Sequence, residues 1–183
     1  MMPNKVLNIY KIQLLLSLTL SIVLIAMRVE KNAFNIVQIF LGAFVGTFLL
    51  DLDYFIHAYF LDPTADFSKT LVSYVKHKDI KSAFAFIYYH RHDIKEKTLN
   101  SALFQIAIGA GAIFVVSSNA SLFVKSLVIS TYINSIYRLA ELYFEKNDTS
   151  EWFWALKKSL TGNALFAYFV ALLGLFVYVI FAF

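Results

Sequence analysis

A chain of 183 residues that is 60% hydrophobic, 17% aromatic and only 15% charged has too few charges to clothe a soluble domain in water, so a lipid-facing surface is expected. The absence of cysteine excludes disulfides, thiolate metal sites, iron–sulfur clusters and cysteine nucleophiles. The formal net charge of +4 lies in loops beside apolar segments, where Lys and Arg set topology and meet anionic lipid. Membrane lipid is therefore the expected partner; nucleic acid is not, because no binding motif accompanies the charge, and the residues name no protein partner.

The apolar residues come in blocks, which reads as a single all-α integral membrane domain: a polytopic transmembrane helical bundle of about five spans, each needing about 20 apolar residues. The expected spans lie near residues 7–27, 34–50, 99–116, 122–144 and 164–183. The second can run on to residue 61, long enough to tilt or bend at the membrane surface. Residues 66–92 alternate Phe67, Leu71, Val72, Phe84 and Ile87 with Lys and His, as amphipathic helices lying in the interface do. In residues 151–158, Trp152, Phe153 and Trp154 followed by Lys157 and Lys158 read as a second interfacial anchor.

With five spans, one side of the membrane receives the N-terminus and the loops at 62–98 and 145–163, which together hold twelve Lys and Arg residues; Arg28, Lys31 and Lys125 lie on the other side. The positive-inside rule then expects a cytoplasmic N-terminus, an external C-terminus and insertion in the cytoplasmic (inner) membrane. Lys5 and Lys11 ahead of an apolar run also fit a signal peptide, but the run is long and no small-x-small cleavage site follows.

Ionisable residues in a span cost several kcal/mol unless they are paired or hydrated. Span two ends in Asp51, Asp53 and His57; span three opens with Asn100 and Ser101; span four carries Asn134, Arg138 and Glu141 on one helical face. Alternating span directions bring all three groups to the cytoplasmic side. On one reading, Arg138 neutralises Asp51, Asp53 or Glu141 and the amides fill the remaining hydrogen bonds as a structural ion pair and polar cluster. On the other, Asp51, Asp53 and His57 hold a divalent metal ion, the one cofactor expected. Residues two apart point roughly 200° from one another on an unbroken helix, so the second reading needs the helix to bend or end there. His90, Arg91, His92 and Asp93 form another dense cluster, read either as ligands and a phosphate clamp or as a wet interfacial turn.

Gly42, Gly46 and the run Leu50-Asp51-Leu52-Asp53-Tyr54 resemble the segment of the YdjM-like membrane-bound metal-dependent hydrolases in which a glycine-bearing helix leads to Pro-Asp-x-Asp-His. His90-Arg91 with Thr98, Asn100 and Ser101 resembles that family's His-Arg-Gly-x-Thr-His-Ser segment, and Asn134 and Arg138 fall at the spacing of its later His-x-x-x-Asp pair. The resemblance implies a hydrolase in which Asp51, Asp53 and His57 hold a metal that activates water, His90 or His92 adds a ligand or acts as general acid and base, and Arg91 clamps an anion. This chain departs from that pattern. Leu50 stands for the Pro, Tyr54, Asn100 and Asn134 each for a His, and Arg138 for a carboxylate, a cation that would repel a metal and attract the aspartates. The alternative is a non-catalytic membrane scaffold, or a lipid- or partner-binding protein, held together by the same residues.

Overall fold

The structure, a computed structural model, describes residues 9–91, 93–94, 97–157 and 160–183. Among these residues there are helices and no strands: α1 (Lys11–Arg28), α2 (Ala33–Leu49), α3 (Leu52–Ile56) running into a π-helical turn (His57–Leu61), α4 (Asp66–Lys76), α5 (Ile80–His90), α6 (Ala102–Ser117), α7 (Leu122–Lys146), a 3-10 turn (Trp154–Leu156) and α8 (Gly162–Ala182). Asn32, Asp79, Ser101 and Ser121 cap α2, α5, α6 and α7 by accepting backbone N–H bonds from Phe34, Ser82, Phe104 and Val124; each satisfies a donor that the first helical turn leaves open.

Two of the described helices, α1 and α8, are long and apolar enough to cross a membrane. A third span is added if α2 and the segment Leu52–Leu61 count as one, bent by 48°. This is fewer than the five spans expected from the sequence, and the reason differs for the remaining two helices. The 16 residues of α6 reach about 24 Å at 1.5 Å per residue, short of the ~30 Å hydrocarbon core. The 25 residues of α7 are long enough, but Lys125, Ser126, Ser130, Thr131, Asn134, Ser135 and Arg138 dilute its hydropathy.

Those polar residues turn inward, and α7 is the central helix, packed against α1, α2, α6 and α8. The closest approach is to α2. A Cβ at Gly46 would stand 2.6 Å from the Leu127 carbonyl oxygen, and one at Gly42 would collide with the Phe123 carbonyl and Ser126 Oγ, so only glycine lets the two backbones meet. Ser130 Oγ donates to the Ala43 carbonyl at 2.7 Å, Thr47 Oγ1 to Ser17 Oγ at 2.7 Å and Asn134 Nδ2 to Ser17 Oγ at 3.0 Å. This buried polar seam joins α1, α2 and α7.

The bend after α2 has a local cause. Asn100 Nδ2 takes the Leu50 carbonyl at 2.9 Å, which a continuous helix would offer to the amide of Tyr54; that amide instead bonds the Asp51 carbonyl at 3.2 Å. The π turn follows, closed by Asp62 N donating to the His57 carbonyl at 3.0 Å. Beyond it, α4 and α5 pack on the bent segment around Tyr54, Ala58, Leu71, Ala83 and Ile87, and Phe84 docks edge-on against Tyr10 and Phe48. The segment expected as interfacial helices is helical over both. Trp152 and Phe153, read from sequence as an interfacial anchor, turn into the core between α6, α7 and α8, because Trp152 Nε1 finds a buried acceptor in Gln105 Oε1 at 3.0 Å; Trp154 is the partly exposed member.

Candidate functional site

The bend at residue 50 sends Asp51 and Asp53 to different partners. Asp51, 2% exposed, accepts from Arg138 Nη2 on α7 at 2.7 Å. Asp53 folds the loop before α6 around its carboxylate. Oδ1 accepts the Thr98 amide at 3.0 Å, and Oδ2 accepts the amides of Leu99 and Asn100 at 2.9 Å each and Asn100 Nδ2 at 3.0 Å. Successive backbone N–H groups aimed at one carboxylate stabilise its charge as an added cation would.

Asn100 joins the two halves. Its Oδ1 accepts from Arg138 Nη1 at 2.9 Å while its Nδ2 donates to Asp53; the reverse amide orientation would set donor against donor and acceptor against acceptor. The result is a continuous chain Asp51–Arg138–Asn100–Asp53, tying the α2–α3 bend, the loop before α6, and α7. Ser101 supports the loop by donating to the Thr98 carbonyl at 2.7 Å.

A second ion-pair group lies one turn further along α7. Arg91 donates from Nη1 to Glu141 at 2.6 Å and from Nη2 to Glu145 at 2.7 Å, with its guanidinium 4.7 Å from the Tyr88 ring centre. Burial works against its charge, but Glu141 and Glu145 outweigh that and hold its pKa above the ordinary value. The anion clamp suggested by sequence thus grips the protein's own carboxylates and fastens α5 to α7. His90 Nδ1 lies 2.8 Å from Asp93 Oδ2 at the exposed surface, away from these pairs; His92 lies outside the described residues.

Of the proposed metal ligands, His57 meets Phe67 edge-on and its Nδ1 has no partner among the described residues. Asp51, Asp53 and His57 are not brought together: among the described residues no three His, Asp or Glu side chains gather as a metal-holding group. The residues that occupy the cation-binding face of Asp51 and Asp53 are Arg138 and the 98–100 amides. Asn134 is drawn away into the seam with Ser17.

Between these groups lies a cavity of about 50 Å³, room for roughly four water-sized groups. Tyr10, Gln13, Asp51, Arg91, Lys97 and Arg138 are among its lining residues. Lys97 is 9% exposed. Burial, and then the positive charges of Lys146 and Arg138, push its pKa down to about 8 against the opposing pull of Glu151 and Asp53. Sequence reasoning missed Tyr10, Gln13, Lys97 and Glu145. Gln13 was detectable as an amide inside an apolar run, and Glu145 as a carboxylate four residues after Glu141, whereas Lys97 looked like one of many loop lysines. Compared with family models, with curated proteins and with solved structures, the chain matches none of them.

Proposed function

We propose that this chain is a non-catalytic integral membrane protein, binding lipid or a partner, in which the positions resembling a hydrolase metal centre serve instead as a structural ion-pair network. The observation that carries the reading is the Arg138–Asp51 pair at 2.7 Å, with Arg138 also bonded to Asn100. A permanent guanidinium charge there supplies the aspartate with the countercharge that a metal would otherwise give.

All five long helices cross the membrane on this reading. Because α7 is enclosed by α1, α2, α6 and α8, a bilayer crossed by α1 and α8 must accommodate α6 and α7 as well, the first by local thinning and the second by turning its polar residues inward. The N-terminus and residues 62–98 face the cytoplasm, in the inner membrane, with the C-terminus outside.

The hydrolase reading draws on the unpartnered His57 Nδ1 and Asp51 Oδ2, although the described residues do not gather these side chains with Asp53; a metal held by one of them would polarise a water for attack. Metal analysis of detergent-purified parent, Asp51→Ala and Asp53→Ala protein separates the two. The non-catalytic reading expects no stoichiometric divalent ion that depends on either aspartate. One ion per chain, lost in both variants, would reinstate the hydrolase.

A further inference from the structure

A groove of about 560 Å³ opens on the surface between the π turn and α4, and its two walls differ in chemistry. Ala58, Tyr59 and Pro63 make one wall apolar, and Phe60 and Leu61, which follow Tyr59, are exposed. Lys69, Lys76 and His77 make the other wall basic. Helical periodicity explains the basic wall. Through Leu71, α4 spends its apolar face on Tyr54, Ala58, Ala83 and Ile87, while Lys69, Ser73 and Lys76, spaced i, i+4 and i+7, share the face left over.

No carboxylate lines the groove to balance this charge. Asp66 lies 3.9 Å from Lys69 with both side chains exposed, and pairs of that kind contribute little. Asp62, which precedes Pro63, is turned into its own loop, accepting from Thr64 Oγ1 at 2.8 Å and from the amides of Thr64 and Ala65 at 3.2 Å each. Lys76 forms no ion pair among the described residues. His77 Nδ1 lies 2.8 Å from the Ser73 carbonyl; a carbonyl can only accept, so Nδ1 carries the proton and Nε2 is left for a ligand. An occupant that fits both walls joins an anion to an apolar stem. A free phosphate answers only the basic wall and a fatty chain only the apolar one. A phospholipid of net negative charge answers both, with its phosphodiester at the lysines and its acyl stem along Tyr59, an aromatic of the kind that sits at the headgroup level. The location agrees, because residues 62–98 lie on the side proposed as cytoplasmic, where the leaflet is anionic.

We infer that this groove binds an anionic phospholipid of the cytoplasmic leaflet. The inference rests on the lipid-binding reading above and names the class of lipid. Phosphatidylglycerol and phosphatidylcholine with identical acyl chains are each added to the detergent-purified full chain, and binding is read by native mass spectrometry. Phosphatidylglycerol should bind roughly tenfold more tightly, as expected for two lysines beside one anionic headgroup. Lys69→Gln with Lys76→Gln should bring it down to the level of phosphatidylcholine. Lys31→Gln with Lys81→Gln, which removes the same charge outside the groove, should leave the preference in place. All four side chains are exposed, so the helical circular dichroism should not change; if the groove pair does lose it, Lys76→Gln alone is measured. Equal binding of the two lipids overturns the proposal, and so does an equal loss with either lysine pair, which would mean diffuse surface charge. Release of phosphatidylglycerol by inorganic phosphate, or by an oligo-glutamate peptide at the same ionic strength, would give the groove to a free anion or to an acidic protein segment and overturn the lipid. An Asp51-dependent metal would overturn the reading beneath the proposal while leaving the lysine dependence unmoved, a separate result.

Discussion

At the scale of single residues the decisive contact is Arg138 on Asp51, both nearly buried. Removing one member of such a pair strands the other charge, whereas removing both removes the problem. Arg138→Ala should therefore destabilise the protein by about 3–5 kcal/mol, and Arg138→Ala with Asp51→Asn should recover a substantial part of that; denaturant or thermal unfolding in detergent gives the cycle. The same recovery should be absent with Asp53→Asn, whose carboxylate is held by the 98–100 amides. Lys97 gives a pH signature. Its pKa falls from an ordinary 10.5 to about 8 on folding, so between those values the unfolded chain holds the extra proton and stability rises with pH. Below about pH 8 the full cost of burying its charge is present. Unfolding midpoints across pH 7 to 10 should climb in the parent relative to Lys97→Met, and parallel curves would show that the lysine is not strained by burial. The need of Arg138 for a carboxylate was legible in the sequence because a guanidinium keeps its charge under all accessible conditions. The choice of Asp51, and the linking role of Asn100, was not, since both depend on where the helix bends, and that bend is made by Asn100 itself from 50 residues away.

At the scale of elements, most helices were legible from apolar runs, and the second was read as long enough to tilt or bend, of which the structure shows the bend. The two helices short of the expected spans differ in cause: α6 has too few residues to reach across the hydrocarbon core, and α7 carries too many polar residues for its length. Tight docking of α2 on α7 depends on two glycines four residues apart, and glycine replacement should give opposite signs at these sites and elsewhere. In a helical position with room for a methyl, Gly→Ala stabilises by up to about 1 kcal/mol, and a Cβ at half-buried Gly111 meets nothing within 4 Å. Gly111→Ala should be neutral or mildly stabilising. Gly42→Ala and Gly46→Ala, which press a methyl into the α7 backbone, should each destabilise by about 1–3 kcal/mol. Thermal unfolding of the three variants side by side checks the order, and a stabilising Gly42→Ala would refute the close approach.

At the scale of the whole molecule, the arrangement proposed for the membrane predicts a cytoplasmic reporter at residue 80 and an extracytoplasmic one at the C-terminus. Two reporters on the same side would mean an even number of crossings and would remove α6 or α7 from the bilayer. The polar seam of Ser17, Thr47, Ser130 and Asn134 bears on how such a molecule is made. A helix released singly from the insertion machinery is sorted by its own hydropathy, and α7 carries several hydroxyls and the Asn134 amide, together with Arg138, through a length that lipid alone would reject. Their partners, Ser17 and the Ala43 and Gly46 carbonyls, lie on α1 and α2, which are synthesised first. On the membrane arrangement proposed above, biogenesis would be ordered by hydrogen bonding: α7 would enter by annealing to a waiting hairpin, and the central helix of the mature bundle would be the one least able to reach the membrane on its own.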